Sequence, residues 1–369
     1  MKKLLVILFL LSISLANTNL VIYSKNFALI SLEKIVELKQ GINYVPLDEI
    51  PGDISLSSVY ITSQKGSIIK EIIYPNWALW IISEKSINET LNIFYFLPNI
   101  SWSCEHFILV DEKSILNFNS RIIVQNNSNN NFKNIKLSLL AGEPQVIESV
   151  PTRTFLKAEI AEGVSPEEII ESKGEYKIFS YKEPVSILAK QHKLLPWLDN
   201  KNVIAEKIYF YDYQRDINGV FIEWRFENSR DKGLGVPIPS GKIRIFLKDK
   251  DRIVFLGESI LKDIAEGEKF TVLQGKAFDI KGERKILESK EYTEAKNIIR
   301  ERKIQVIIRN SKEEKVKVEV KEYLEGDWQV ISSSLPFEKI DANNIKFILD
   351  VSPKKEAILV YSYRTRLPR

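Results

Sequence analysis

Apolar and polar residues alternate through most of this chain. Val316-Lys317-Val318-Glu319-Val320-Lys321 switches at every step, and Phe221–Glu227 sets Ile222, Trp224 and Phe226 against Glu223, Arg225 and Glu227. A period of two sends successive side chains to opposite sides of a strand, so each stretch reads as a β-strand with one buried face. Further strand patterns run over Asn19–Ile30, Ile54–Thr62, Ile68–Ile73, Arg121–Gln125, Ile135–Leu140, Ile208–Tyr213, Arg252–Leu256, Lys303–Arg309, Ile345–Leu349 and Ala357–Tyr363. Turn residues separate them at Pro51-Gly52-Asp53, Asp216–Gly219, Glu266-Gly267 and Glu325-Gly326. Short strands at this spacing predict an all-β chain of sandwich type. Helical signals are few. Ser165-Pro166-Glu167-Glu168-Ile169-Ile170 has an N-cap residue, an early proline and acidic residues, and Glu291–Arg300 is a second candidate. The patterning predicts an N-terminal β unit over 17–85, a central β domain over 86–300 with a loop-rich stretch at 142–190, and a C-terminal sandwich over 301–369 whose core includes Trp328. The boundary at 301 rests on weakened hydrophobic patterning between Lys281 and Lys303. Trp102 and Trp224 also read as core.

Residues 1–16 break the pattern. Lys2 and Lys3 precede the unbroken apolar run Leu4–Leu11, and Ser14-Leu15-Ala16 supplies small residues for cleavage. This is the form of a secretory signal peptide. The run falls short of the roughly 20 apolar residues of a membrane span. A mature chain exported to the periplasm or cell surface is expected, with no transmembrane segment. Cys104 is the single cysteine, so the expected folding needs no intrachain disulfide. The 53 basic and 49 acidic residues leave a net charge of +4, too even a balance for a nucleic-acid binder.

Candidate chemistry is sparse. Gly233-Leu234-Gly235-Val236-Pro237-Ile238-Pro239-Ser240-Gly241-Lys242 looks at first like a phosphate-binding loop. Five residues separate Gly235 from Gly241, Ile243 replaces the hydroxyl residue after the lysine, and Pro237 and Pro239 lack N–H donors. The stretch reads as a loop leading into a strand, with Lys242 in solvent. Cys104 and His106 share one strand face but make only two of the ligands a metal site needs, so they read as buried structural residues. Asp212, Asp216 and Glu223 flank one turn and have the residue types for paired-acid glycoside hydrolysis. Arg215, Arg225 and Arg230 lie close by and predict ordinary ion pairs instead. No cofactor and no catalytic residue emerges. Tyr209, Tyr211 and Tyr213 fall on one face of their strand, opposite Ile208 and Phe210. They are either a platform for a sugar or a protein, or a second covered face.

Several motifs resemble one family. Gly233–Lys242, Phe255-Leu256-Gly257-Glu258 and Gly275–Lys285 closely resemble the domain of unknown function 4139 family. Tyr23–Ile30 with Gly41-Ile42-Asn43 and Pro51 resembles its N-terminal unit, and Ser101-Trp102 resembles one of its strand starts. Arg309–Lys312 with Gly326-Asp327-Trp328 resembles its C-terminal sandwich. The resemblance covers nearly the whole mature chain, more weakly over 142–200. It implies an exported bacterial protein of tandem β-sandwich modules, the C-terminal one immunoglobulin-like, and some members are labelled mucoidy-inhibitor-like. It implies no enzyme activity. Two departures stand out: the coiled-coil insertion of many relatives is absent, and His106 stands where they often have an aromatic residue. The resulting expectation is a non-catalytic envelope module that binds or supports a protein or polysaccharide. The alternative is a hydrolase of envelope polysaccharide.

Overall fold

A computed structural model describes residues 18–52, 54–111, 115–142, 144, 169–173, 176–294 and 297–368. The expected signal peptide with its expected cleavage site, and Ser165–Glu168 of the first helix candidate, lie outside these. The chain is nearly all β, built as several sheets in the manner of tandem sandwiches. The helical pieces among the described residues are two single 3-10 turns, Leu56–Ser58 and Arg230–Lys232. Ile169–Lys173 is a strand, and so are both halves of Glu291–Arg300, which belong to the hairpin Lys269–Glu294 and Asn297–Asn310. Ile169 and Ile170 pair with Ser180 and Phe179, and cross-strand pairing of this kind overrides a local helix signal.

The chain divides into two units, Met1–Cys104 with Arg121–Trp197, and Glu105–Ser120 with Leu198–Arg369. In the first, an eight-stranded sheet runs Ile169–Lys173, Tyr176–Ser180, Phe132–Ala141, Asn19–Tyr23, Phe27–Leu38, Ile87–Pro98, Tyr60–Ser63, with Val185–Ile187 beside Phe132–Ala141. Ala28, Ile30 and Leu32 stand opposite Leu97, Tyr95 and Ile93 and share the core face. Because Ile87–Pro98 pairs with Phe27–Leu38 along its whole length, the expected boundary at 85/86 is not a break in the fold. A three-stranded sheet of Gly41–Pro46, Ala78–Ser83 and Ile68–Ile73 also belongs to this unit. The buried carboxylate of Glu89 fastens its 63–67 turn, accepting from the Ser63 and Ser67 hydroxyls and the Lys65 amide.

The second unit holds a nine-stranded sheet in the order Asp327–Ser333, Glu356–Pro368, Asn297–Asn310, Lys269–Glu294, Gly219–Glu227, Ala205–Asp212, Val316–Tyr323, Asn344–Val351, Phe337–Lys339. The sheet curls on itself. Phe347 and Tyr361, on strands near its opposite ends, bring their rings to 5.1 Å. Val316, Val318 and Val320 line its interior with Ile304, Val306, Ile308, Leu349 and Leu359. The expected boundary at 301 therefore fails: it falls inside a strand, and strands from both sides of it share this sheet. Patterning weakens there because Lys285–Glu294 is an exposed ribbon, not because a domain ends. A second core joins Ile108, Phe118, Trp224, Phe226, Ile243, Ile245, Phe270 and Val272.

Candidate binding surface

The three tyrosines do share a face, and it is the inner one. Tyr211 is fully buried in the curled sheet and donates its hydroxyl proton to the Ile217 carbonyl at 2.6 Å. Tyr209 and Tyr213 are half-buried against the same core. Phe210, on the outer face, is buried as well. It stacks on Phe221 at 5.3 Å, and the Lys321 ammonium covers it at 4.1 Å. This central strand is covered on both sides, so Tyr209, Tyr211 and Tyr213 form a core layer and not an open platform. Gly282 belongs to that layer: a Cβ there would meet the Tyr211 ring at 2.3 Å.

The glycine-proline loop is clasped from beneath. Asn228 is fully buried; its amide donates to the Val236 and Ala265 carbonyls and its oxygen accepts the Gly235 amide. Gly235 has φ +92°, and a Cβ would stand 2.8 Å from the Arg230 backbone nitrogen, so glycine is required twice over. Lys242 is exposed, while Ile243 and Ile245 point into the core. His106 holds the far end of the loop. A carbonyl only accepts, so Nε2–H donates to Pro239 at 2.9 Å and Nδ1 accepts from the Ser120 hydroxyl at 2.7 Å. Burial pushes its pKa from 6.5 down to about 4, against the pull of the Pro239 carbonyl and Glu105. The unfolded chain then binds the extra proton between those values, so this contribution to stability is complete above pH 6.5 and lost as pH falls to 4. At 1.36 kcal/mol per pKa unit it amounts to about 3 kcal/mol. Urea titrations at pH 7 and pH 4 should show wild type losing about that much more stability than His106→Gln. Cys104, on the same strand, is buried.

The acids flanking the 213–218 turn are engaged rather than converging on a cleft. Asp216 pairs with Lys276 and accepts the Asn218 and Gly219 amides. Those bonds, that of Lys276 foremost, hold its pKa down at about 2. Asp212 pairs with Arg215 at 3.4 Å. Glu223 shares Arg225 with Glu319, each at 2.7 Å, and Lys346 extends the ladder. A depression of about 420 Å³ does hold two carboxylates, Asp111 and Asp249, near Trp224. Asp111 caps the Ile115 amide at 2.7 Å and Asp249 pairs with Arg252. Among the described residues, no three His, Cys, Asp or Glu side chains come together in a metal-binding arrangement. The most enclosed ion pair lies inside the curled sheet, where Arg284 meets Glu322 at 3.0 Å and Tyr361 donates to the same carboxylate at 2.6 Å. Burial pushes the Glu322 carboxyl up, with Arg284 and Tyr361 pulling against it.

An aromatic row on the five-stranded sheet escaped sequence reading. That sheet runs His192–Val203, Leu116–Asn126, Ile100–Asp111, Gly241–Asp249, Arg252–Leu261. His106 and Ile108 point inward, which turns Phe107 outward between them. Phe107 stacks near Phe246 at 6.4 Å, and Phe246 meets Phe255 at 5.7 Å. Phe255 is 54% exposed, and Ile253 and Ile260 on the same edge strand are 67% and 81% exposed. Arg244 lies over Phe107 at 5.9 Å and pairs with Glu105 at 3.0 Å and Glu258 at 3.4 Å, giving the apolar row a charged border. Phe246 and Phe255 face each other across one hairpin, and Phe107 comes from a strand distant in sequence. Only the outward parity of Phe107, beside its inward neighbours, hinted at them.

A family model described as a domain of unknown function (DUF4139) matches residues 91–369. No curated protein matches the chain.

Proposed function

The chain belongs to the DUF4139 family, and from that footing we propose that it is an exported, non-catalytic module of the cell envelope that binds another protein through the edge strand Arg252–Leu261 and the aromatic row beside it. The row carries this reading. Exposed apolar side chains rimmed by charge are the usual composition of a protein-binding patch. Its rings are phenylalanines, without the polar tip by which Tyr and Trp grip sugars and wet surfaces, which favours protein over polysaccharide. The strand also ends its sheet, and an edge strand offers unpaired backbone groups to an incoming chain. Export rests on the charged, apolar and small-residue segments of residues 1–16. No helix among the described residues is long and apolar enough to cross a membrane.

The test is affinity capture from envelope fractions of the producing cell. Wild type and the double variant Ile253→Ser/Phe255→Ser serve as baits, after circular dichroism shows both folded. A protein retained by wild type and depleted at least about tenfold by the variant, the loss of roughly 1.4 kcal/mol of binding, supports the reading. Equal retention by both baits overturns it, as does retention of glycan alone.

A further inference from the structure

We infer that the open end of the curled sheet in the second unit holds a site for a small oxyanion, a carboxylate or a phosphate, formed by Arg302 and Thr365. The inference is independent of the aromatic row. Arg302 stands directly opposite Tyr363, and Thr365 lies two residues further along the same strand. Opposed residues in an antiparallel pair, and residues two apart on one strand, share a face. Tyr363 belongs to the interior core, so Arg302 and Thr365 both point inward. Trp328 stands opposite Thr365 on the next strand.

Two donors on this face, at diagonal positions of adjacent strands, have no acceptors. The Nε of Arg302 and the Oγ1 of Thr365 are buried and have no hydrogen-bond partner, and Thr365 is only 3% exposed. Arg302 also lacks an ion-pair partner among the described residues, unlike the arginines around it. Arg284 has Glu322, Arg300 has Glu291, Arg309 has Glu283 and Arg364 has Glu301. Buried polar groups are nearly always satisfied, so two unmet donors on one inner face, one of them on a cation without an ion-pair partner, need an explanation. One oxyanion answers all three: it accepts from the Arg302 Nε–H and the Thr365 hydroxyl and neutralises the guanidinium. Arg302 and Trp328 are only half-buried, which leaves a way in from solvent.

The experiment follows the Arg302 Nε–Hε signal by ¹⁵N NMR in the whole protein. Inorganic phosphate and acetate are titrated separately, with chloride at matched ionic strength as the control. A saturable shift with phosphate or acetate is expected, and whichever anion binds more tightly identifies the class. Thr365→Val should weaken that binding about tenfold, the worth of one hydrogen bond to a charged group. Arg302→Lys should abolish the saturable rise in Tm that the same anion gives wild type. A shift that chloride reproduces, or one that Thr365→Val leaves unchanged, overturns the assignment. Silence of the Arg302 signal toward both oxyanions does so as well.

Discussion

Truncating Glu322 to alanine is expected to destabilise the protein by about 3–5 kcal/mol. The cost comes less from the lost attraction than from what remains: the Arg284 guanidinium would be left in the interior of the curled sheet with its carboxylate gone. The Tyr361 hydroxyl would lose its acceptor in the same stroke. The control is to remove the charges together. Arg284→Met/Glu322→Leu replaces the pair by apolar groups of similar size, and such replacements are often neutral or better. The double variant should therefore return to within about 2 kcal/mol of wild type, the shortfall being the orphaned tyrosine hydroxyl. Urea denaturation of the three proteins decides it. A double variant as unstable as Glu322→Ala would mean that the geometry of this pair, and not the burial of an unpaired charge, sets the cost.

The second large effect belongs to Asn228. Its side chain meets three backbone groups at once, on Gly235, Val236 and Ala265. Each buried group left unmet costs about 1–3 kcal/mol, so Asn228→Ala should destabilise by about 3 kcal/mol or more. Lys242→Ala, at the most phosphate-loop-like residue of the same stretch, should change stability by less than about 0.5 kcal/mol, because that side chain is exposed. Denaturant midpoints for the two variants test the contrast. Comparable losses from both would mean that Lys242 supports the loop and that the clasp has been placed on the wrong residue.

The strands were readable wherever one face met a core and the other met water. Val316, Val318 and Val320 are buried as their alternation implies, and so are Ile222, Trp224 and Phe226. Polar residues misled where burial came from both sides. Glu319 and Glu223 alternate like solvent-facing residues, yet they are buried because Arg225 bridges them. Pattern records polarity and does not record which partner neutralises it. The tyrosines show the same gap: period two placed them on one face but could not say which face the sheet would curl around. The weak patterning of 281–303 was real, and its cause was a ribbon extending past the core. The meeting of Phe107 with the Phe246–Phe255 hairpin and the Arg302–Thr365 pair depend on registers between distant strands, information no local window contains. The opening loop was legible as non-catalytic from its prolines, while the residue that holds it, Asn228, carries no motif of its own.

The parallel pairing of Ala205–Asp212 with Val316–Tyr323 bears on the order in which the molecule can assemble. The other neighbour of that strand, Gly219–Glu227, follows it closely and can join as a hairpin. Its parallel partner arrives only after the chain has passed through the 241–310 strands. Until then Tyr209, Tyr211 and Tyr213 have no Val318 or Val320 beside them. Contacts this distant in sequence form late and slowly, since the loop entropy must be met before the contact returns anything. A nascent chain that has reached only residue 310 thus leaves the tyrosine strand without its parallel neighbour, an open edge beside apolar side chains that the finished protein does not possess.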